Sequence, residues 1–87
     1  MTDGDIVLDY DETVDAAYLT LAAGAFDHQV RLDDARGVNY AADGSVLGIE
    51  LLSPRRKGVN LAGLPRREDV ARVMRAASFR VLQGQPR

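Results

Sequence analysis

The stretch YAADGSVLGIELLSPRR, residues 40–56, decides the fold, because it contains a turn, a strand and the residue that ends the strand. An Asp-Gly pair at 43–44 lies between two apolar segments, which is a strong signal for a hairpin with a type I′ turn. We therefore predict that residues 38–41 and 46–52 pair as antiparallel strands. Pro54 ends the second strand, because proline has no N–H to donate to a neighbouring strand.

Both sides of the predicted strand 46–52 are largely apolar. Alternation places Leu47, Ile49 and Leu51 on one side, and Val46, Gly48, Glu50 and Leu52 on the other. An antiparallel sheet ordinarily leaves one face in water. We therefore expect the second face to be covered by a helix or by another copy of the sheet. Gly48 has no side chain to pack, which favours a bulge or the close approach of another backbone.

Three more segments predict strands, at residues 5–10, 18–24 and 26–32. The third alternates clearly, and its less polar face consists of Phe26, His28, Val30 and Leu32. Asp11 follows the first strand and is suited to cap a helical turn, because its carboxylate can accept backbone N–H groups.

A helix is predicted over residues 65–77. Pro65 suits its first position, and apolar residues recur at the spacing of one helical stripe, namely at Val70, Val73, Met74 and Ala77. Residues 55–58 are predicted to be a polar connection. Residues 79–82 form either a last short strand or a packed tail, and residues 83–87 are expected to fray.

The sequence thus predicts one α+β domain over residues 1–87, with a small twisted antiparallel sheet of four or five strands and one C-terminal helix. The core is thin, because a chain of this length buries only about 60–65% of the surface that it exposes when unfolded. The chain has no cysteine, so neither a disulfide nor a thiolate zinc site can support that core. The thin core and the two-sided strand predict a homodimer, with the second sheet face or an edge at the interface.

The net charge of −2 is unevenly divided along the chain. Residues 1–54 carry eleven acidic and two basic side chains, whereas residues 55–87 carry two acidic and nine basic ones. Such a division is typical of a nucleic-acid arm, or of oppositely charged parts that attract each other, either within one fold or between two subunits. We favour the second interpretation, since an acidic chain has no strong long-range attraction for a phosphate backbone.

The first twelve residues, MTDGDIVLDYDE, are acidic, whereas a secretory signal begins with basic residues and continues into an apolar run. No apolar segment approaches the roughly 20 residues that a membrane-spanning helix needs. We therefore expect a soluble, cytoplasmic protein without a membrane partner.

The segments YDETVDAAYLTLAAG and VRLDDARGVNYAADGSVLGIELLSPRR together resemble a small bacterial family known as domain of unknown function 2283. The residues that carry the resemblance, within 6–54, are Tyr10, Asp11, Asp15, Ala16, Tyr18, Leu19, Leu21, Asp43, Gly44, Gly48, Ile49 and Glu50. Ala17 departs from the pattern, which often has a bulky apolar residue there. The resemblance implies a curled antiparallel sheet with a helix, self-association and no known catalytic residues. Some members are encoded beside small toxin-like proteins, so it also makes an antitoxin-like role conceivable.

Four residues are candidate contacts for a partner or ligand: His28, Glu50, Arg55 and Arg56. Glu50 lies in an apolar strand, and burial of a lone carboxylate is costly, so we expect it to pair with Arg31, Arg55 or Arg56, or to lie at the sheet rim. We interpret it as part of an ion pair that fixes strand register or a subunit contact, with a general base in a pocket as the alternative. His28, the single histidine, is interpreted as a partly buried, hydrogen-bonded residue or an interface residue.

No metal site, cofactor or catalytic residue is predicted. The acidic cluster Asp9, Asp11, Glu12 and Asp15 has the spacing for two calcium ligands, but it lacks the glycine and the distal glutamate of a calcium loop. No Gly-x-Ser-x-Gly motif accompanies the histidine, and no glycine-rich phosphate loop is present.

Three classes of function remain open. We favour a non-enzymatic interaction module that binds a small protein partner, with an antitoxin-like role as one form of it. The second class is a small-molecule binder or enzyme that uses Glu50 and His28, which requires the two side chains to share a pocket. The third is a nucleic-acid binder that uses the arginine-rich residues 55–75. It is disfavoured because the aromatic residues that could stack on bases all lie in predicted core strands.

Overall fold

The computed structural model describes residues 6–82. Five strands come first along the chain: β1 (Val7–Asp11), β2 (Ala16–Thr20), β3 (His28–Asp33), β4 (Arg36–Tyr40) and β5 (Val46–Leu52). They form one antiparallel sheet with the spatial order β1-β2-β5-β4-β3. The remaining elements are α1 (Pro54–Lys57), β6 (Val59–Asn60), α2 (Arg67–Ala76) and β7 (Val81–Leu82), and β6 pairs with β7 in parallel. The predicted α+β class, with its antiparallel sheet and C-terminal helix, is confirmed.

The turn that joins β4 to β5 differs in type from the prediction. A type I′ turn needs two central residues with positive φ, but within residues 41–45 only Gly44 has one, at 89°. The N–H of Gly44 donates to the carbonyl of Ala41 over 3.0 Å, and the N–H of Ala41 donates to the carbonyl of Ser45 over 2.9 Å. These bonds make a three-residue loop with a bulge, which still reverses the chain as the hairpin prediction requires.

Two predictions about the C-terminal segment are wrong in detail. The predicted connection at 55–58 contains α1, which begins at Pro54. The predicted helix begins later, at Arg67, because Arg66 has a left-handed conformation with φ 50° and Pro65 precedes it. The last short strand is present as β7. The predicted fraying of residues 83–87 and the start of the first strand at residue 5 lie outside the described residues.

One face of the sheet, here called the buried face, packs against the C-terminal segment. Five of its side chains from β2, β4 and β5 are at most 3% exposed, namely Ala17, Leu19, Val38, Ile49 and Leu51. From α2, the helical stripe contributes the fully buried Val70 and Met74. The rest of the core from this segment consists of Val59, Leu61, Leu64, Ala71 and Phe79. Each fully buried side chain of leucine size stabilises the fold by about 1.5–3 kcal/mol, so this face holds most of the folding energy.

Arg36 joins the sheet to the C-terminal segment. The residue is 8% exposed, and its guanidinium donates to the carbonyls of Asn60, over 3.1 Å, and Ala62. Its Nε donates to Asp33 Oδ2 over 3.0 Å. The Arg36 guanidinium holds the pKa of the Asp33 carboxyl below its usual value. The buried charge of Arg36 is therefore matched by a carboxylate and by two backbone carbonyl oxygens.

The other side of the sheet, here called the open face, carries no helix or strand among residues 6–82. The expected cover over the second side of β5 therefore does not come from the described chain, because α2 packs on the buried face. A side chain shields the centre instead: a Cβ at Gly48 would lie 2.1 Å from Tyr18 Oη and 2.6 Å from the carbonyl oxygen of Leu19. The close approach predicted at Gly48 is thus confirmed, with a tyrosine side chain contributing to it. Neither helix of the described chain has the length and apolarity to cross a membrane.

Candidate functional site

The open face carries a continuous array of hydrogen-bonded side chains, here called the polar array, made of Tyr18, Gln29, Arg31, Asn39 and Glu50. Gln29 Nε2 donates to Asn39 Oδ1 over 2.8 Å and to Glu50 Oε1 over 3.2 Å. Arg31 Nη1 donates to the same Glu50 oxygen over 2.7 Å, and Asn39 Nδ2 donates to Tyr18 Oη over 3.2 Å. The array thus links side chains from β2, β3, β4 and β5.

The strand register explains why these side chains meet. Tyr18 and Gly37 both lie opposite Glu50, on β2 and β4 respectively. A Cβ at Gly37 would lie 2.8 Å from Arg31 Nη1 and from Gln29 Cδ. The missing side chain at Gly37 therefore leaves the space through which the side chains of Gln29 and Arg31 reach across β4 to β5.

Glu50 is a paired carboxylate, as the sequence predicts. Of its three candidate partners, Arg31 forms the ion pair, whereas Arg55 and Arg56 lie in α1 and bond elsewhere. The side chains of Arg31 and Glu50 are 40% and 37% exposed, so the pair is partly hydrated. An ion pair of this exposure contributes little stability, about 0–1 kcal/mol. It does tie the edge strand β3 to the central strand β5 across β4, which fits the predicted role in register.

A groove lies beside the polar array on the open face. It has a volume of about 340 Å³ and is lined by Asp9, Tyr10, Asp11, Ala16, Ala17, Tyr18 and Glu50. Asp9 is exposed. Asp11 Oδ1 accepts the hydroxyl of Thr13 over 2.5 Å and its N–H over 2.9 Å, and these bonds lower the pKa of the Asp11 carboxyl. Carboxylates next to a tyrosine ring make this groove suited to a cationic side chain.

The acidic residue Asp15 has a structural role that sequence reasoning missed. Its Oδ1 accepts the hydroxyl of Tyr10 over 2.9 Å and the N–H of Arg55 over 3.0 Å, and its Oδ2 accepts the N–H of Arg56 over 3.1 Å. Burial opposes ionisation of Asp15, but the two amides and the hydroxyl outweigh it, so the pKa of this carboxyl lies below its usual value. Asp15 therefore caps the N-terminus of α1 from a distant hairpin turn.

The predicted contacts Arg55 and Arg56 support the fold around α1. The Arg55 guanidinium lies 3.8 Å from the ring centroid of Phe79, and its Nη1 donates to the carbonyl of Ser78 over 2.8 Å. Arg56 Nη2 donates to Ser53 Oγ over 3.0 Å. The two Arg55 contacts join the segment after α2 to α1.

The side chain of His28 lies on the other side of the sheet from the polar array. It occupies edge strand β3 next to Gln29, so its side chain points to the side opposite Glu50. Its Nδ1 lies 2.8 Å from Asp27 Oδ2, and its ring stacks on Tyr40 with centroids 5.2 Å apart. The side chain is 50% exposed, more than the prediction of a partly buried residue implied. His28 and Glu50 therefore share no pocket.

Exposed apolar side chains also line β3, contrary to the expectation that the aromatic residues lie in core strands. Phe26 is 62% exposed, and Val30 and Leu32 are 43% and 36% exposed. The predicted apolar side of this strand exists, but the C-terminal segment does not extend far enough to cover it.

The acidic residues form no compact ligand cluster. Among residues 6–82, no group of three or more histidine, aspartate or glutamate side chains is arranged to hold a metal ion. On the basic part of the chain, Arg66 and Arg72 both pair with Asp69 of α2.

The comparisons with known proteins agree with this description. The family model described as "Protein of unknown function (DUF2283)" matches residues 7–53, which is more than half of the chain and spans all five strands of the main sheet. No curated protein and no solved structure matches the chain. The polar array, its groove and the hairpin cap at Asp15 all lie largely within the matched segment. The chain therefore belongs to the family of proteins of unknown function DUF2283.

Proposed function

We propose that this domain is a non-enzymatic interaction module that binds a small protein partner through the open face of its sheet. The observation that carries the proposal is the groove beside Tyr18, bounded by the carboxylates of Asp9, Asp11 and Glu50. No helix or strand of the described chain covers this face. An antitoxin-like role, with a small toxin-like protein as the partner, is one form of such binding.

The chemistry of the groove favours a partner that presents a lysine or arginine side chain. Such a side chain would lie against the ring of Tyr18 and pair with Asp9 or Glu50, and charge-assisted bonds of this kind give orientation as well as energy. The hydrogen bonds of the polar array already hold Tyr18 and Glu50 in place. Binding then costs less side-chain entropy, because these groups are ordered beforehand.

The two other functional classes lose their main support in this geometry. A small-molecule binder or enzyme of the predicted kind needs His28 and Glu50 in one pocket, but the two side chains lie on opposite sides of the sheet. A nucleic-acid binder needs aromatic side chains that are free to stack on bases near the basic residues 55–75. Beside Arg55, however, the rings of Tyr10 and Phe79 pack edge to face with centroids 4.9 Å apart. Both rings are engaged within the fold.

A co-purification with matched charge reversals tests the proposal. The tagged full chain is exposed to lysate of its source cells as wild type, as Asp9→Lys and as Glu12→Lys, a control on an exposed residue of the same hairpin. We expect wild type and Glu12→Lys to retain the same second protein and Asp9→Lys to lose it. Failure of the wild type to retain any protein, or equal retention by Asp9→Lys, would contradict the proposal.

A further inference from the structure

The edge strand β3 is open to pairing along its outer side. Among residues 6–82, the sheet has two edges, β1 and β3, and the strand at each edge has a neighbour on one side alone. Alternate N–H and C=O groups of an edge strand point outward and can accept another strand. The segment FDHQVRL, residues 26–32, contains no proline, and its exposed apolar side chains, Phe26, Val30 and Leu32, lie along this edge.

The two edges differ in charge. β1 carries Asp9 and Asp11 and no basic residue, so a second copy of β1 would bring like charges together. Segment 26–32 carries both signs, Asp27 and Arg31. The charge pattern therefore protects β1 against self-pairing and leaves β3 able to pair with itself.

Symmetry restricts how two copies of β3 can pair. A two-fold axis perpendicular to the sheet makes the two β3 strands antiparallel and keeps equivalent faces of the two sheets on the same side. Such an axis passes between the two copies of one residue, which then lie opposite each other. With the axis at Gln29, Asp27 lies opposite Arg31 of the second copy, and Phe26 lies opposite its Leu32. His28 then lies opposite Val30 of the second copy. The dimer then contains two pairs of opposite charges, and the apolar side chains meet each other.

The neighbouring registers lack this complementarity. An axis at Val30 places Asp27 opposite Asp33 of the second copy, and an axis at Arg31 places two arginines together. An axis at His28 places Arg31 opposite an alanine. An axis at Leu32 pairs few residues, because a turn follows Asp33.

We propose that the protein is a homodimer in which two β3 strands pair antiparallel about a two-fold axis at Gln29. The two five-stranded sheets join into one continuous sheet, and the exposed apolar side chains of β3 pack across the axis. Both open faces then lie on the same side of the joined sheet, and both grooves stay accessible. The paired segment 26–32 contains no residue that lines the groove, and the two proposals have separate tests, so each can fail without the other.

Cysteine cross-linking reads the register directly, because the chain has no cysteine of its own. Full-length Gln29→Cys, Val30→Cys and Arg31→Cys variants are oxidised under identical mild conditions, with Val7→Cys on edge β1 as the control. Directly opposite residues of an antiparallel pair have Cα atoms about 4.5–5.5 Å apart, within disulfide range. We expect Gln29→Cys to form covalent dimers fastest. Fastest cross-linking at position 30 or 31, or rates no higher than that of Val7→Cys, would overturn the proposal.

Light scattering of charge variants gives a second, independent measurement. At micromolar concentration the wild type should have twice the 9.5 kDa mass of one chain. Asp27→Arg should weaken the dimer by about tenfold, since it creates two like-charge pairs. Asp34→Arg, in the exposed turn after β3, is the matched control and should stay dimeric. A wild-type monomer, species larger than a dimer, or equal weakening by Asp34→Arg would overturn the proposal.

Discussion

At the scale of single residues, two glycines determine what the open face can carry. Gly37 leaves space for Gln29 and Arg31 to cross β4, and Gly48 leaves space for the ring of Tyr18. Neither position needs glycine for backbone flexibility, because neither has a positive φ. The requirement is space, and it comes from side chains of neighbouring strands.

The Gly48→Ala substitution should destabilise the fold by about 1–3 kcal/mol, because the new methyl overlaps Tyr18 Oη and the carbonyl of Leu19. Urea denaturation measures this loss. Tyr18→Leu removes one of the two clashes, so the double variant should lose less than the sum of the single variants. Strict additivity, or an undisturbed Gly48→Ala protein, would show that Tyr18 does not occupy this space.

The capping carboxylate Asp15 makes stability depend on pH. Its pKa in the folded protein lies below the ordinary value of 3.8, so its contribution is complete above that value and is lost as the pH falls through the folded-state pKa. Asp15→Asn leaves one of the amides of Arg55 and Arg56 without an acceptor and should be less stable than wild type at pH 7. We expect the difference to shrink towards pH 3 in urea denaturation. Glu12→Gln serves as the charge control, and a difference that does not change with pH would contradict the assignment.

Sequence reasoning could find Glu50 and include Arg31 among its partners, because a carboxylate in an apolar strand needs a cation. It could not find Gln29, Asn39 and Tyr18 as one array. Their contact depends on β5 lying between β2 and β4, and strand order is a long-range property that no local pattern in this chain specifies.

At the scale of elements, the long hairpin strand β5 was predicted to the residue, whereas α1 was missed. In β5 the side chains alternate between two sides over the whole strand, and a strong sequence signal for a turn precedes it. α1 has four residues, too few for a helical period, and its cap Asp15 is distant in sequence. The start of α2 was placed too early, because the left-handed conformation of Arg66 cannot be inferred from the proline beside it.

Arg36 is the contact through which β4 holds the C-terminal segment, and its removal tests that coupling. Arg36→Met retains the apolar stem but leaves the carbonyls of Asn60 and Ala62 and the carboxylate of Asp33 without their donor. We expect a loss of about 1.5–3 kcal/mol in the free energy of unfolding, the range for hydrogen bonds to charged groups. Arg36→Lys, which keeps the charge but cannot reach all three acceptors, should recover part of it. A loss below that of an exposed substitution such as Arg67→Met would contradict this role.

At the scale of the whole molecule, the two faces of one sheet have different tasks. The buried face holds the apolar core against α2, and the open face holds polar groups in fixed positions beside an acidic groove. The sequence predicted that this chain has more apolar strand surface than it can hide. In the structure the uncovered apolar side chains lie along β3 and not on the second side of β5, because α2 is too short to cover the whole buried face.

Native mass spectrometry of the complex recovered from source-cell lysate tests the central claim, that the open face is the binding surface, most directly. For the wild type and for Glu12→Lys, we predict an assembly that contains two copies of the chain together with the bound partner. For Asp9→Lys, we predict two copies of the chain alone. A partner that stays bound to Asp9→Lys, or an eluate in which the wild type carries no second protein, would contradict the account.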